Sequence, residues 1–145
     1  MEPSRLRSGP LRFSSVNNFS HNNEMHYVNQ CQYSHERPQI LYIDAYDSFA
    51  NNIVALLQGL IQADVEVIRH DDSRFSTKSP TTFVQFLNRF HAVVVGPGPG
   101  DPRNQKDVGV IPLLWSLQEG DQLPVLGICL GFQSMCYAFG EAVSQ

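Results

Sequence analysis

The chain has 145 residues, 42% of them hydrophobic and 17% charged, which suits one globular domain of modest size. A formal net charge of −4 without a basic stripe argues against a nucleic-acid partner. No apolar run approaches the roughly 18 residues of a membrane-spanning helix, so no membrane partner is expected.

The three cysteines, Cys31, Cys129 and Cys136, cannot all pair and match no zinc spacing. A reduced, cytoplasmic setting with no metal and no cofactor is therefore the expectation. Residues 1–38 are rich in Ser, Asn, His and Arg without sustained periodicity and read as a disordered leader. Arg5, Arg7 and Arg12 among serines are features of a transit peptide, whereas Glu2, Pro3 and Pro10 argue against one. Cys31, His21, His26 and His35 fall in this leader, which argues against a chemical role for them.

From Gln39 the pattern becomes regular. "QILYID" reads as a strand, and "DSFANNIVALLQGLI" as a helix with Phe49, Ile53, Leu56, Leu57, Leu60 and Ile61 on one face. Asp47 or Ser48 is placed to cap that helix. "DVEVIR" predicts a second strand and "TTFVQFLNRF" a second helix. "HAVVV" predicts a third strand, short and β-branched enough to be buried on both faces. A turn-rich loop, "GPGPGDPRNQKDVG", leads to a helix through "LLWSLQ", with Pro112 confined to its first turn. The strand "LPVLGI" and the helix "LGFQSMCYAF" complete the pattern. Four strand–helix units in succession predict an α/β fold, a parallel sheet with helices on both faces.

Cys129 lies between Gly127 and Gly131 where the last strand gives way to the last helix. Strand–Gly-x-Cys-x-Gly–helix is the thiol counterpart of the nucleophile elbow. The nucleophile sits on a strained turn, and the flanking glycines remove side chains that would collide there. The turn lifts the sulfur to the carboxyl end of the strand, where open α/β sheets bind ligands. It also sets the thiol at a helix amino terminus, where free amides and the helix dipole favour negative charge. The amide of Leu130 would point to where an oxyanion forms. A buried structural cysteine at a glycine turn is the competing reading. Cys136, mid-helix and without flanking glycines, is read as structural.

The loop from Gly96 to Pro102 leaves the third strand at the same sheet edge. Its prolines and glycines make it stiff, with few amides left to face a ligand. A phosphate cradle would need a following Lys-Ser/Thr, and the prolines remove amides that it would use. A plain rigid turn is the other alternative.

"ILYIDAYDSFANN", "VVVGPGPGDPRN" and "PVLGICLGFQS", in this order and spacing, resemble the class I (triad) glutamine amidotransferases. More narrowly they resemble the amidotransferase domain of the chorismate-aminating enzymes, anthranilate synthase and aminodeoxychorismate (PABA) synthase. Ala45 and Ala50, where the anthranilate type usually has Asn and Thr or Ser, favour the fused PABA synthases of fungi. The resemblance implies a flavodoxin-like sheet, glutamine as substrate and no cofactor for this domain. It implies a chorismate-aminating synthase, fused or separate, as partner. By the resemblance, Cys129 attacks the glutamine carboxamide and the amides of Leu130 and Gly98 hold the oxyanion. Gln133 contacts the bound glutamine and Gly100 shapes its pocket.

The family also uses His and Glu from a later His-x-Glu segment. The expectation is that the chain ends before that segment, as the front part of an amidotransferase domain truncated after the elbow. Such a chain would hydrolyse glutamine poorly on its own. His70, His91, Glu119 and Glu141 match none of the family's catalytic positions. A non-catalytic module that binds a synthase, or another cysteine hydrolase such as a γ-glutamyl hydrolase, are the alternatives.

Overall fold

The structure is a computed structural model that describes residues 37–141 and 143. Apart from Arg37 and Pro38, the expected leader lies outside the described residues, and Cys31, His21, His26 and His35 lie outside them with it. Four strands form one sheet: β1 (Gln39–Asp44), β2 (Asp64–Arg69), β3 (Ala92–Val95) and β4 (Val125–Gly127). They are parallel throughout and run in the order β2-β1-β3-β4. Parallel neighbours require crossovers, which α1 (Ala50–Leu60), α2 (Thr81–Leu87), α3 (Gln105–Val108) and α4 (Ile111–Trp115) supply. The helix α5 (Leu130–Ala138) follows β4. This is the predicted α/β class, in a flavodoxin-like arrangement.

Alternation along the strands divides the core in two. Leu41, Ile43, Ile68, Val93 and Val95 pack with Phe83 and Leu87 of α2, Val108 of α3, Ile111, Leu113 and Leu114 of α4, and Leu130 of α5. Ile40, Tyr42 and Val94 face the other way, against Ala50, Ile53, Val54 and Leu57 of α1 and Ile128. Helices therefore cover both faces, and β3 is buried on both, as its composition predicts.

Several local expectations need correction. The face of α1 is narrower than predicted: Ile53 and Leu57 pack, but Phe49, Leu56, Leu60 and Ile61 are exposed. The buried stripe is centred on Ala50, Ile53, Val54 and Leu57, and at about 100° per residue Leu56 and Leu60 fall on its flank. Neither Asp47 nor Ser48 caps α1, whose N-cap is Phe49 with no side-chain cap. The Asp47 carboxylate instead accepts the Phe49 amide at 2.7 Å, bracing the turn just before the helix. β4 is shorter than "LPVLGI", because Pro124 has no amide to give and Ile128 already begins the turn. Pro112 does sit in the first turn of α4. The helix α3 lies within the stretch whose composition predicts a turn-rich loop; the Asn104 side chain caps it by accepting the Lys106 amide at 3.1 Å.

Candidate active site

The carboxyl ends of β3 and β4 lie side by side, with Val95 paired to Gly127 and the Ile128 amide donating to the Val95 carbonyl at 2.9 Å. Gly96 is one residue beyond Val95, and Cys129 two beyond Gly127. The topology thus brings the proline–glycine loop and the cysteine to one edge of the sheet.

Cys129 is exposed and adopts φ 52°, ψ −107°, a conformation that residues with a side chain rarely hold. The chain on both sides of it is closely packed. A Cβ on Gly131 would lie 2.6 Å from the Val95 carbonyl oxygen, and one on Gly127 would lie 2.7 Å from the Phe132 amide nitrogen. Neither glycine has a positive φ; each serves by the absence of its side chain. The first helical amides follow at once: Gly131 N–H donates to the Ile128 carbonyl and Gln133 N–H to the Cys129 carbonyl. Leu130 is fully buried, and Ser134 anchors α5 to α4 by accepting from the Trp115 indole at 3.1 Å. Gln133 is half-buried one turn beyond Cys129. Cys136, read as structural, is half-buried in the same helix.

The loop is built differently at each end. At its start, a Cβ on Gly96 would lie 2.2 Å from the Tyr42 hydroxyl, and one on Gly98 would lie 2.4 Å from the Ala45 carbonyl oxygen. Burial, and then the charges of Asp44 and Asp47, push the Tyr42 phenol up to about 12, so it is neutral. At its end the loop is held by polar side chains. Asp101 accepts from the Arg103 amide at 2.9 Å and from its guanidinium Nε at 2.8 Å. These bonds hold the Asp101 carboxyl down at about 2. The Asp101 amide donates to Asp107 Oδ2 at 2.9 Å. Asp107 carries no signal in the sequence. Its contact with the loop arises only because α3 turns back on it. Among the described residues, no protein group accepts a hydrogen bond from the amides of Gly98 or Leu130.

Neither described histidine reaches Cys129. His70 follows β2, the opposite edge strand from β4, so three interstrand spacings, about 14 Å, separate them. It is buried beneath the Tyr46 ring, with its carbonyl accepting the Val110 amide at 2.8 Å. His91 lies at the amino end of β3, four residues or about 13 Å from the carboxyl edge. Its Nδ1 accepts the Gln39 amide at 3.0 Å. Among the described residues no group of three or more His, Cys, Asp and Glu side chains could hold a metal ion. No described helix is long and apolar enough to cross a membrane.

The family model for class-I glutamine amidotransferases matches residues 41–145. The chain belongs to that family. Aminodeoxychorismate synthase of Saccharomyces cerevisiae is 40% identical over 116 residues, covering 73% of this chain and 14% of that protein. Aminodeoxychorismate synthase of Streptomyces griseus is 39% identical over 105 residues, 72% of this chain and 13% of the relative. Anthranilate synthase component II of Haloarcula marismortui is 34% identical over 110 residues, 74% of this chain and 46% of the relative. The amidotransferase chain thus spans about one-seventh of the two synthases and under half of the component II protein.

Proposed function

We propose that this amidotransferase chain is the glutaminase portion of an aminodeoxychorismate synthase. Cys129 Sγ attacks the side-chain carbonyl carbon of glutamine, and the carbonyl oxygen becomes an oxyanion that the amides of Leu130 and Gly98 receive. When the tetrahedral intermediate collapses, the C–N bond breaks and the thiol's proton leaves with the nitrogen as ammonia. A glutamyl thioester remains, which water hydrolyses to glutamate. Gln133 and Gly100 contribute to holding the glutamine. The ammonia aminates chorismate on a synthase partner, on the way to p-aminobenzoate and folate.

The observation that carries this reading is Cys129 itself. It is an exposed thiol held at φ 52° between a strand and a helix, by glycines whose absent side chains permit the packing. A structural cysteine has no need of that conformation. Among the described residues no histidine lies within reach of Cys129 to relay its proton, so that relay must come from a group outside them.

The aminodeoxychorismate branch is favoured over anthranilate by the higher identity to the yeast synthase and by Ala45 and Ala50. The test is amination of chorismate by the protein with its synthase, using glutamine or ammonium as nitrogen source. Cys129→Ala should abolish the glutamine-dependent rate and leave the ammonium-dependent rate intact, with aminodeoxychorismate as product. Anthranilate as product would move the protein to the other branch. A glutamine-dependent rate unchanged by Cys129→Ala would refute the reading.

A further inference from the structure

We infer that Asp107 is the positioning residue of the glutamine-binding loop, an inference that rests on the proposed function. Two independent contacts join its carboxylate to the loop. Oδ2 accepts the Asp101 amide at 2.9 Å. The same side chain also fills the space where a side chain on the preceding residue would sit: a Cβ on Gly100 would lie 2.6 Å from Asp107 Cβ and 2.8 Å from Oδ2. Gly100 has φ +129°, a conformation that only glycine adopts readily, so the loop turns around the carboxylate rather than beside it.

Asp107 is itself fixed. It lies on α3, its amide donates to the Asn104 carbonyl at 2.9 Å, and the next residue, Val108, is buried in the core. The chain of support therefore runs from the core through Val108 and Asp107 to Gly100 and Asp101, and along the stiff Pro97–Pro99 segment to Gly98. Prolines transmit this constraint because their φ cannot relax. Asp107 touches neither the reacting sulfur nor the oxyanion amides directly. Its effect should fall on how tightly a glutamine-shaped ligand is held rather than on the intrinsic reactivity of Cys129.

The experiment measures alkylation of Cys129 by a glutamine-like electrophile, 6-diazo-5-oxo-L-norleucine, over a range of concentrations, with iodoacetamide as the undirected comparison. It is paired with hydrogen exchange at the Asp101 amide. Asp107→Ala should raise the half-saturating concentration of the glutamine analogue about tenfold or more, the effect of losing a hydrogen bond to a charged acceptor. The iodoacetamide rate should change less than about twofold, since the elbow is built separately. Protection of the Asp101 amide should be lost. Asp107→Asn keeps an oxygen that can accept the Asp101 amide, now as a neutral acceptor, and should give values between those of the parent and of the alanine variant; if the alanine variant fails to fold, a raised half-saturation and faster Asp101 exchange in Asp107→Asn support the inference, and parent values for both overturn it. Unchanged saturation in Asp107→Ala, or unchanged exchange at Asp101, overturns the inference. A parent protein whose Cys129 reacts with the analogue without saturation overturns the proposed function and the ligand role of the loop together. The exchange result then still decides whether Asp107 pins Asp101.

Discussion

The elbow around Cys129 and the loop from Gly96 to Asn104 meet at one edge of the sheet, yet they are held by different physics. The elbow is steric: Gly131 lies on the Val95 carbonyl and Gly127 on the Phe132 amide, and no ionisable side chain takes part in those contacts. The far end of the loop is polar, a set of hydrogen bonds among Asp101, Arg103 and Asp107. Steric constraint gives a conformation that is hard to perturb except by adding atoms. Polar constraint gives one that can be tuned, and that acid can undo. The proposed reaction would use both: a sulfur whose direction does not wander, and a wall that can be adjusted to the ligand.

The largest effect should come from adding atoms to the elbow. Gly131→Val forces a side chain against the Val95 backbone, which cannot move without breaking the β3–β4 pairing. It should cost on the order of 3 kcal/mol in equilibrium unfolding. A loss below about 0.5 kcal/mol would mean that the elbow is not sterically set.

Removing the strain acts in the other sense. Cys129→Gly should raise stability by about 1 kcal/mol, because glycine adopts φ 52° without penalty, while abolishing alkylation at that position. A destabilised variant would mean that the thiol itself contributes packing at the turn.

Acid separates the two regions. Asp101 is held at about 2 in the folded protein, below the usual aspartate value near 4, chiefly by the Arg103 side-chain hydrogen bonds. A depressed carboxyl contributes stability that is full above the unfolded value and is lost as pH falls through the folded one. Stability should therefore decline between about pH 4 and pH 2, and Asp101→Asn should flatten that part of the profile. The profile of Gly127→Ala should retain it. An identical slope in Asp101→Asn would remove the carboxylate from the account.

The smallest effect concerns the start of the loop. The Tyr42 hydroxyl is buried against Gly96, and among the described residues no group hydrogen-bonds to it. Tyr42→Phe should change stability by less than about 1 kcal/mol, in the stabilising direction, because it removes an unpaired polar atom. A clear loss on thermal melting would show that the hydroxyl has a partner.

Much of this arrangement is legible in the sequence, and the reason is local. Hydrophobic runs such as "HAVVV" state their own burial, and strand–glycine–cysteine–glycine–helix states a sharp turn. What stayed hidden depends on residues distant in sequence or on the finer geometry of packing. The width of the α1 stripe depends on how the helix lies on the sheet, so Leu56 and Leu60 belong to the face that the spacing predicts although they are exposed. The Asp47 side chain serves a turn one residue before the helix, a shift that propensity cannot resolve. Asp107 looked like any charged residue in a turn-rich stretch, because its contact with Asp101 exists only once α3 folds back. The roles proposed for Gly98, Gly100 and Gln133 rest on the family resemblance; the elbow pattern by itself marks only Cys129 and the amide of Leu130.

The most direct test of the central claim is to treat the protein with 6-diazo-5-oxo-L-norleucine and map the adducts by mass spectrometry, with Cys136 as the internal reference. The account predicts one adduct, on Cys129, formed at a rate that glutamine suppresses by competition. Equal modification of Cys129 and Cys136, or a Cys129 rate indifferent to glutamine, would contradict it.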